Sequence, residues 1–385
     1  MKVLIAPDSF KGSLSSSEAA EAIAIGFHRV FPDADCVLLP IADGGEGTAA
    51  TLAAATNGTR IPHTVTGPRG ESVPASFTLL GDRETAVIEL AEAAGLSLIA
   101  RDKRDPKITT TYGVGELLLA AIRHPSVRRL IVTLGGSATN DGSAGLLSAL
   151  GVCFRNASGK TLARGGAALI DLAIVDTSSL LLDPATVSLQ IACDVDNPLT
   201  GPRGASAVFG PQKGATPDDV ALLDSALAHY AAVLAQTSGR DVADIPGAGA
   251  AGGTAAGLLW LFPQAELVPG IELVLDALQF DKHLKDADLV LTGEGRLDAQ
   301  TLGGKAIAGV TKRAKAAGVP VGAIVGGLTG DVTGDQLARE LNLQAVMTLP
   351  PHPCTLEEAV ASAPQWLTDA AERAARWLKL GQSVS

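Results

Sequence analysis

Four charged side chains, Glu294, Arg296, Asp298 and Lys305, fall among glycines in the stretch LTGEGRLDAQTLGGKA, directly after the apolar run ADLVL. The GGK triplet invites comparison with a phosphate loop. A Walker-type loop needs Gly, four residues and then Gly-Lys-Ser/Thr, so that backbone N–H groups wrap the phosphates. Here Ala299 stands where the first glycine belongs and Ala306 replaces the hydroxyl residue. Standard phosphate-loop chemistry is therefore excluded, and the cluster needs another reason.

Other glycine-rich loops carry similar chemistry. PDSFKGSLS sets Asp8, Ser9 and Lys11 just before a helix start, where a lysine and the helix dipole can meet one anion. ADGGEGT sets Asp43 and Glu46 around two glycines that permit close backbone approach. In TLGGSATNDGSAG, residues Gly135, Gly136, Ser137, Thr139 and Asn140 are expected to present amides and hydroxyls as a cradle for phosphate oxygens, with Asp141 orienting a metal or a hydroxyl. ACDVDNPL places Asp194 and Asp196 two apart at an expected strand end. Residues i and i+2 share a strand face, so both carboxylates and Asn197 are expected to reach one cation such as Mg²⁺, or one carboxylate to accept a hydroxyl proton. VFGPQKGA adds Gln212 and Lys213 in a further glycine-flanked turn.

Several reaction classes lack their residues. The six histidines are isolated from one another, and the four cysteines, Cys36, Cys153, Cys193 and Cys354, show no C-x-x-C spacing. GGSAT does not supply the nucleophile elbow G-x-S-x-G. APDSFKGS stands where a dinucleotide fingerprint would follow the first strand, which disfavours hydride chemistry.

The elements that must position these loops alternate between strand and helix. KVLIAP reads as a buried strand, SLSSSEAAEAIAIGFHRVF as a helix capped by Ser15 or Ser16, DCVLLPIA as a strand and GGEGTAATLAAAT as a helix. The rhythm returns in ADLVLTG, GGKAIAGVTKRAKAAG, VPVGAIVGG, GDQLARELN and LQAVMTLP, followed by a closing helix. Five strands with interleaved helices are the inventory of a flavodoxin-like parallel sheet. Between them, TRIPHTVTGPRGESVPASFTLLG alternates and is punctuated by turns, as antiparallel strands do, and leads into further α/β sequence. The expected organisation is a discontinuous domain of residues 1–56 and 281–385, interrupted by an α/β domain of residues 57–280, with the cleft between them.

Composition narrows the partners. The 385 residues are 46% hydrophobic, enough for a sizeable core, and only 3% aromatic. A formal net charge of −11 argues against nucleic acid or an anionic membrane as partner while leaving room for a small anion in a local cationic pocket. MKVLIAPDSF reads as a first strand and not a signal peptide, and no apolar window is long enough for a membrane span. A soluble, cytoplasmic protein is expected.

Taken together, APDSFKGSLS, PIADGGEGT, GGSATNDG, ACDVDNPL, GPRGASAVFGPQKGA, PGIELVL and LTGEGRLDAQTLGGKA resemble the bacterial-type glycerate kinases of the first class, and the resemblance covers essentially the whole chain. It implies ATP-dependent phosphorylation of D-glycerate with Mg²⁺, yielding ADP and 2-phosphoglycerate. It also implies a flavodoxin-like domain with an inserted α/β domain likened to restriction endonucleases. Two positions depart from the family pattern: Ser143 where GGSATNDGG has a final glycine, and Ala248 within GAGAAGG.

Phosphoryl transfer asks for positioning and charge neutralisation. In that light Lys11, Lys213, Arg296 and Lys305 are expected to bind phosphate or the glycerate carboxylate, and Asp194 and Asp196 to hold Mg²⁺ or supply a base. Asp43, Glu294 and Asp298 are expected to bind glycerate hydroxyls or orient the cations. A kinase for another small hydroxy acid, phosphorylation at the 3-position, and a non-catalytic two-domain binding protein are the alternatives. The last is disfavoured because anion binding alone seldom needs clustered carboxylates.

Overall fold

The computed structural model describes residues 1–45, 47–297, 306–328 and 333–384, so Glu46, Asp298 and Lys305 lie outside the described residues. The described chain divides into two compact units: Met1–Asp43, Ala54–Thr56 and Ile271–Ser385 form the first, and Gly44–Ala53 and Asn57–Gly270 the second.

The chain opens with β1 (Lys2–Pro7) and β2 (Asp35–Leu38), joined through the helix Ser16–His28. That helix starts on a capping box: the Ser15 side chain accepts from the Glu18 N–H while Glu18 reaches back to the Ser15 N–H. The second unit then contributes β3 (Thr59–Thr66), β4 (Ser72–Leu79), β5 (Thr85–Glu89), β6 (Arg129–Thr133), β7 (Cys153–Arg155), β8 (Ile174–Asp176), β9 (Ser188–Ala192) and β10 (Glu266–Val268). The chain returns to the first unit for β11 (Leu289–Glu294), β12 (Val321–Val325) and β13 (Ala345–Thr348), and ends in the helix Leu356–Val384.

The first sheet has the order β13-β12-β11-β1-β2, and every pairing in it is parallel. Counted within this unit the order is 5-4-3-1-2, the flavodoxin-like arrangement, whose direction of winding reverses between β1 and its neighbour β11. Val3, Leu4, Ile5 and Ala6 are wholly buried because helices cover both sheet faces, which explains why β1 is a continuous apolar run.

The second unit has a mixed six-stranded sheet, order β10-β9-β6-β5-β4-β3, and a two-stranded sheet of β7 and β8. β3 and β4 form the expected antiparallel pair, and β5, β6, β9 and β10 run parallel. Its core gathers Phe77, Ile88, Leu117, Val132, Leu146, Ile191, Leu227, Tyr230 and Phe262. Among the described residues no helix is long and apolar enough to cross a membrane.

Candidate functional site

In the first unit the site residues stand at the carboxyl edge of the parallel sheet. Asp8 is the first residue beyond β1, and its backbone N–H still donates to the Gly293 carbonyl of β11 at 2.8 Å. One carboxylate oxygen accepts the Ser9 N–H at 2.6 Å. Only 8% of Asp8 is exposed. Burial pushes its carboxyl up to about 6; the Ser9 N–H opposes this, the neighbouring Asp43 adds to it and Lys11 counteracts it. Lys11 extends into solvent with its Nζ 3.9 Å from an Asp43 carboxylate oxygen. On the adjoining strand, Glu294 closes β11 as a buried carboxylate, and Arg296, two residues on, is exposed. The backbones after these strands approach closely: a Cβ at Gly326, just past β12, would lie 2.2 Å from the Gly295 carbonyl oxygen.

In the second unit, β6 delivers the loop 134–143, which differs from its expected form. Gly136 is exposed and Gly135 half-buried, but Ser137, Thr139, Asn140, Asp141 and Ser143 are all buried. The anticipated row of exposed hydroxyls reduces to the Gly135–Gly136 turn, because segments distant in sequence cover the rest. Lys213 enters from beneath: its Nζ donates to Ser137 Oγ at 2.8 Å and to the Thr139 carbonyl at 2.6 Å. It is 2% exposed, and burial pushes its ammonium down to about 7 despite the attraction of Asp141. Asp141 ties the same loop to its other neighbours, accepting from Thr111 N–H at 2.8 Å, Thr111 Oγ1 at 3.0 Å and Gly145 N–H at 3.3 Å. Its burial raises its own carboxyl, and its charge helps to push the Tyr230 phenol up. Asn140 donates to Ser206 Oγ at 3.0 Å.

The Asp194 and Asp196 pair is arranged differently from the i, i+2 reading. β9 stops at Ala192, so both aspartates lie in the following loop and strand alternation does not apply to them. Asp196 is exposed and takes both its oxygens to the Arg203 guanidinium, at 2.9 and 2.8 Å, which holds its carboxyl below the usual range. Asn197 donates to the Arg203 carbonyl at 2.7 Å, so this loop closes on itself. Asp194 instead accepts the Gly270 N–H at 2.9 Å.

One residue escaped the sequence reading. Glu89, the buried last residue of β5, accepts from Gly47 N–H at 2.7 Å and Ala49 N–H at 3.2 Å, capping the helix Thr48–Thr56 that follows ADGGEGT. The N-cap residue Gly47 carries no capping side chain, and that lack was the available signal.

The first unit, with a parallel sheet whose loops end in carboxylates and cations, and the second, with a glycine turn held by a buried lysine, each contain parts that phosphoryl transfer requires. The family model described as "Glycerate kinase family" matches residues 3–379. The chain is 49% identical over 390 residues to a glycerate kinase of Bacillus subtilis, covering 100% of this chain and 99% of that one. It is 49% identical over 323 residues to a glycerate 2-kinase of Escherichia coli, covering 83% and 84% respectively. A crystal structure from Salmonella typhimurium LT2, of a glycerate kinase 2 candidate, superposes with a TM-score of 0.90 at 47% identity, covering 100% of this chain and 99% of that one. The chain belongs to the glycerate kinase family. It is a kinase that transfers a phosphoryl group from ATP to glycerate.

Proposed function

We propose that the acceptor is the 2-hydroxyl of D-glycerate, that Mg²⁺ accompanies the nucleotide, and that the reaction takes place in the cytoplasm. The 49% identity over 323 residues to a glycerate 2-kinase supports the first point. The four cysteines are all free thiols, as suits a reducing compartment.

The residues divide by role. Lys11 and Arg296, both exposed, bind the anionic groups of ATP or glycerate, and the planar guanidinium suits a two-point grip on a carboxylate or phosphate. The Gly135–Gly136 turn offers backbone amides to phosphate oxygens, and Lys213 and Asp141 fix its shape. Ser9, Asp43 and Glu294 recognise the glycerate hydroxyls, and Asp8 meets the hydroxyl that reacts. Mg²⁺ on a nucleotide needs only one or two protein carboxylates, because phosphate and water complete its shell. Among the described residues no cluster of three or more His, Cys, Asp or Glu could hold a metal alone. Asp194 fits the one-carboxylate case, whereas Asp196 is committed to Arg203. Held there, such an ion would neutralise charge on the phosphates, while the protein supplies the orientation.

The observation that carries this reading is the family match across residues 3–379 together with Asp8, Lys11 and Asp43 at one edge of the first sheet. Incubating the protein with Mg-ATP and D-glycerate, with coupled detection of ADP and NMR of the product, tests it. The expected product is 2-phosphoglycerate. The 3-isomer would overturn the regiochemistry, and ADP release only with a different hydroxy acid would overturn the substrate.

A further inference from the structure

Phosphoryl transfer to an alcohol needs a group that takes the hydroxyl proton, and three aspartates in loops after strands are candidates: Asp8 in the first unit, Asp194 and Asp196 in the second. Asp196 is paired through both oxygens with Arg203 and lies in solvent, so it is a poor acceptor held in its anionic form. Asp194 serves the Gly270 N–H and is the carboxylate that fits a nucleotide-bound cation. Asp8 differs from both. It sits immediately beyond β1, at the point where winding of the first sheet reverses between β1 and β11, and open α/β sheets bind ligands outside the strand ends there.

We propose that Asp8 is the catalytic base, accepting the proton of the glycerate hydroxyl as that oxygen attacks the γ-phosphorus of ATP. This rests on the reading of the chain as a glycerate kinase. In the step, the hydroxyl oxygen forms a bond to the γ-phosphorus while the bond from that phosphorus to the β–γ bridging oxygen breaks. The bridging oxygen keeps the electron pair and leaves on ADP, and the hydroxyl proton passes to an Asp8 carboxylate oxygen.

Three features of the first unit favour this assignment. The Ser9 N–H holds one Asp8 oxygen at 2.6 Å, and the Asp8 N–H is fixed to Gly293, so the carboxylate is oriented by backbone before substrate arrives. The charged groups acting on it are Asp43, from the loop after β2, and Lys11 from its own loop, while the neighbouring β11 ends in Glu294. Asp43 raises and Lys11 lowers its proton affinity, and burial dominates both. The resulting value near 6 suits a base that is ionised at neutral pH yet still able to take a proton.

The test compares wild type, Asp8→Asn and Asp8→Glu with saturating Mg-ATP across pH 5–9. We expect Asp8→Asn to lower kcat by roughly 100-fold or more while KM for D-glycerate stays within about threefold, since loss of a general base typically costs ~10²–10⁴. Asp8→Glu should recover part of kcat. The wild-type kcat/KM for D-glycerate should fall on the acid side near pH 6, a limb that Asp8→Asn lacks. A raised KM with kcat preserved would assign Asp8 to binding and overturn the proposal. So would an acid limb that survives in Asp8→Asn, or a wild-type profile flat through pH 6, which needs no variant at all. If wild type itself fails to turn over glycerate, the kinase reading fails; if wild type is active and only these outcomes go wrong, the base assignment alone fails.

Discussion

Lys213 Nζ donates to the Thr139 carbonyl at 2.6 Å inside the second unit, with only 2% of the lysine exposed. A lysine so placed is a fixed strut of the glycine-rich loop, and its protonation is coupled to folding. Its ammonium is pushed down to about 7 in the folded chain, against 10.5 as the ordinary value. Between these values the unfolded chain holds the extra proton, so stability rises as pH increases from about 7 towards 10. Lys213→Met should abolish that rise, measured as urea midpoints at pH 7 and 9.5. The same variant leaves the Thr139 carbonyl and Ser137 hydroxyl without their donor, and kcat/KM for ATP should drop by about tenfold or more, roughly 1.4 kcal/mol. An unchanged pH slope would remove the buried-lysine reading.

Asp8 gives the opposite sign. Its folded value near 6 lies above the ordinary 3.8, so the folded chain binds the proton more tightly, and the associated stability is present below about pH 4 and lost as pH rises through 6. At pH 7 the ionised carboxylate therefore costs stability, up to about 3 kcal/mol for a shift of this size. Asp8→Asn keeps an acceptor for the Ser9 N–H and should raise the melting temperature at pH 7 while leaving it little changed at pH 4. A less stable variant at pH 7 would contradict this.

Ser143 adopts φ +67, in the left-handed region that favours glycine. A side chain there costs roughly 1 kcal/mol. Ser143→Gly should stabilise the chain by about that amount in denaturant titration, offset by the greater freedom that glycine gives the unfolded chain. Gly257 faces this site so closely that its own Cβ would fall 1.7 Å from Ser143 Oγ, and Gly257→Ala should destabilise by about 1–3 kcal/mol. The two changes are coupled, and the penalty of Gly257→Ala should shrink in the Ser143→Gly background.

Glu89 makes a further prediction. Glu89→Ala leaves the Gly47 and Ala49 N–H groups without this acceptor and should cost about 1–2 kcal/mol, with Glu89→Gln losing less because it retains a side-chain oxygen. Equal losses in both variants would show that the negative charge matters more than the hydrogen bonds.

The parallel sheet of the first unit was legible because its interior strands β1, β11 and β12 are largely buried. Val3 to Ala6 in β1, and Val321 and Ala323 to Val325 in β12, leave an uninterrupted apolar signature bounded by glycine and proline. The antiparallel pair β3–β4 was equally readable from its alternation. The Asp194–Asp196 pair does not share a strand face because β9 stops at Ala192, and strand ends are where local pattern is weakest. The loop after β6 looked like a surface cradle because Ser, Thr and Asn are small and polar. Its burial comes from Lys213 and from Gly252, whose Cβ would lie 2.1 Å from the Thr139 carbonyl, and neither is a local neighbour. Glu89 acts across forty-two residues on Gly47, a distance that no helix-start rule spans.

The register of β1 carries a consequence for synthesis. Val3 pairs with Leu289, so β1, an interior strand of the first sheet, lacks one neighbour until some three-quarters of the chain has left the ribosome. The second sheet draws all its strands from 59–268 and can close earlier. Domains form largely as they emerge, and β1 is the exception here: it waits beside β2 with an unpaired strand edge, the kind of edge that recruits other chains. A nascent chain interrupted before residue 289 would therefore release a sealed second sheet together with an adhesive amino-terminal strand.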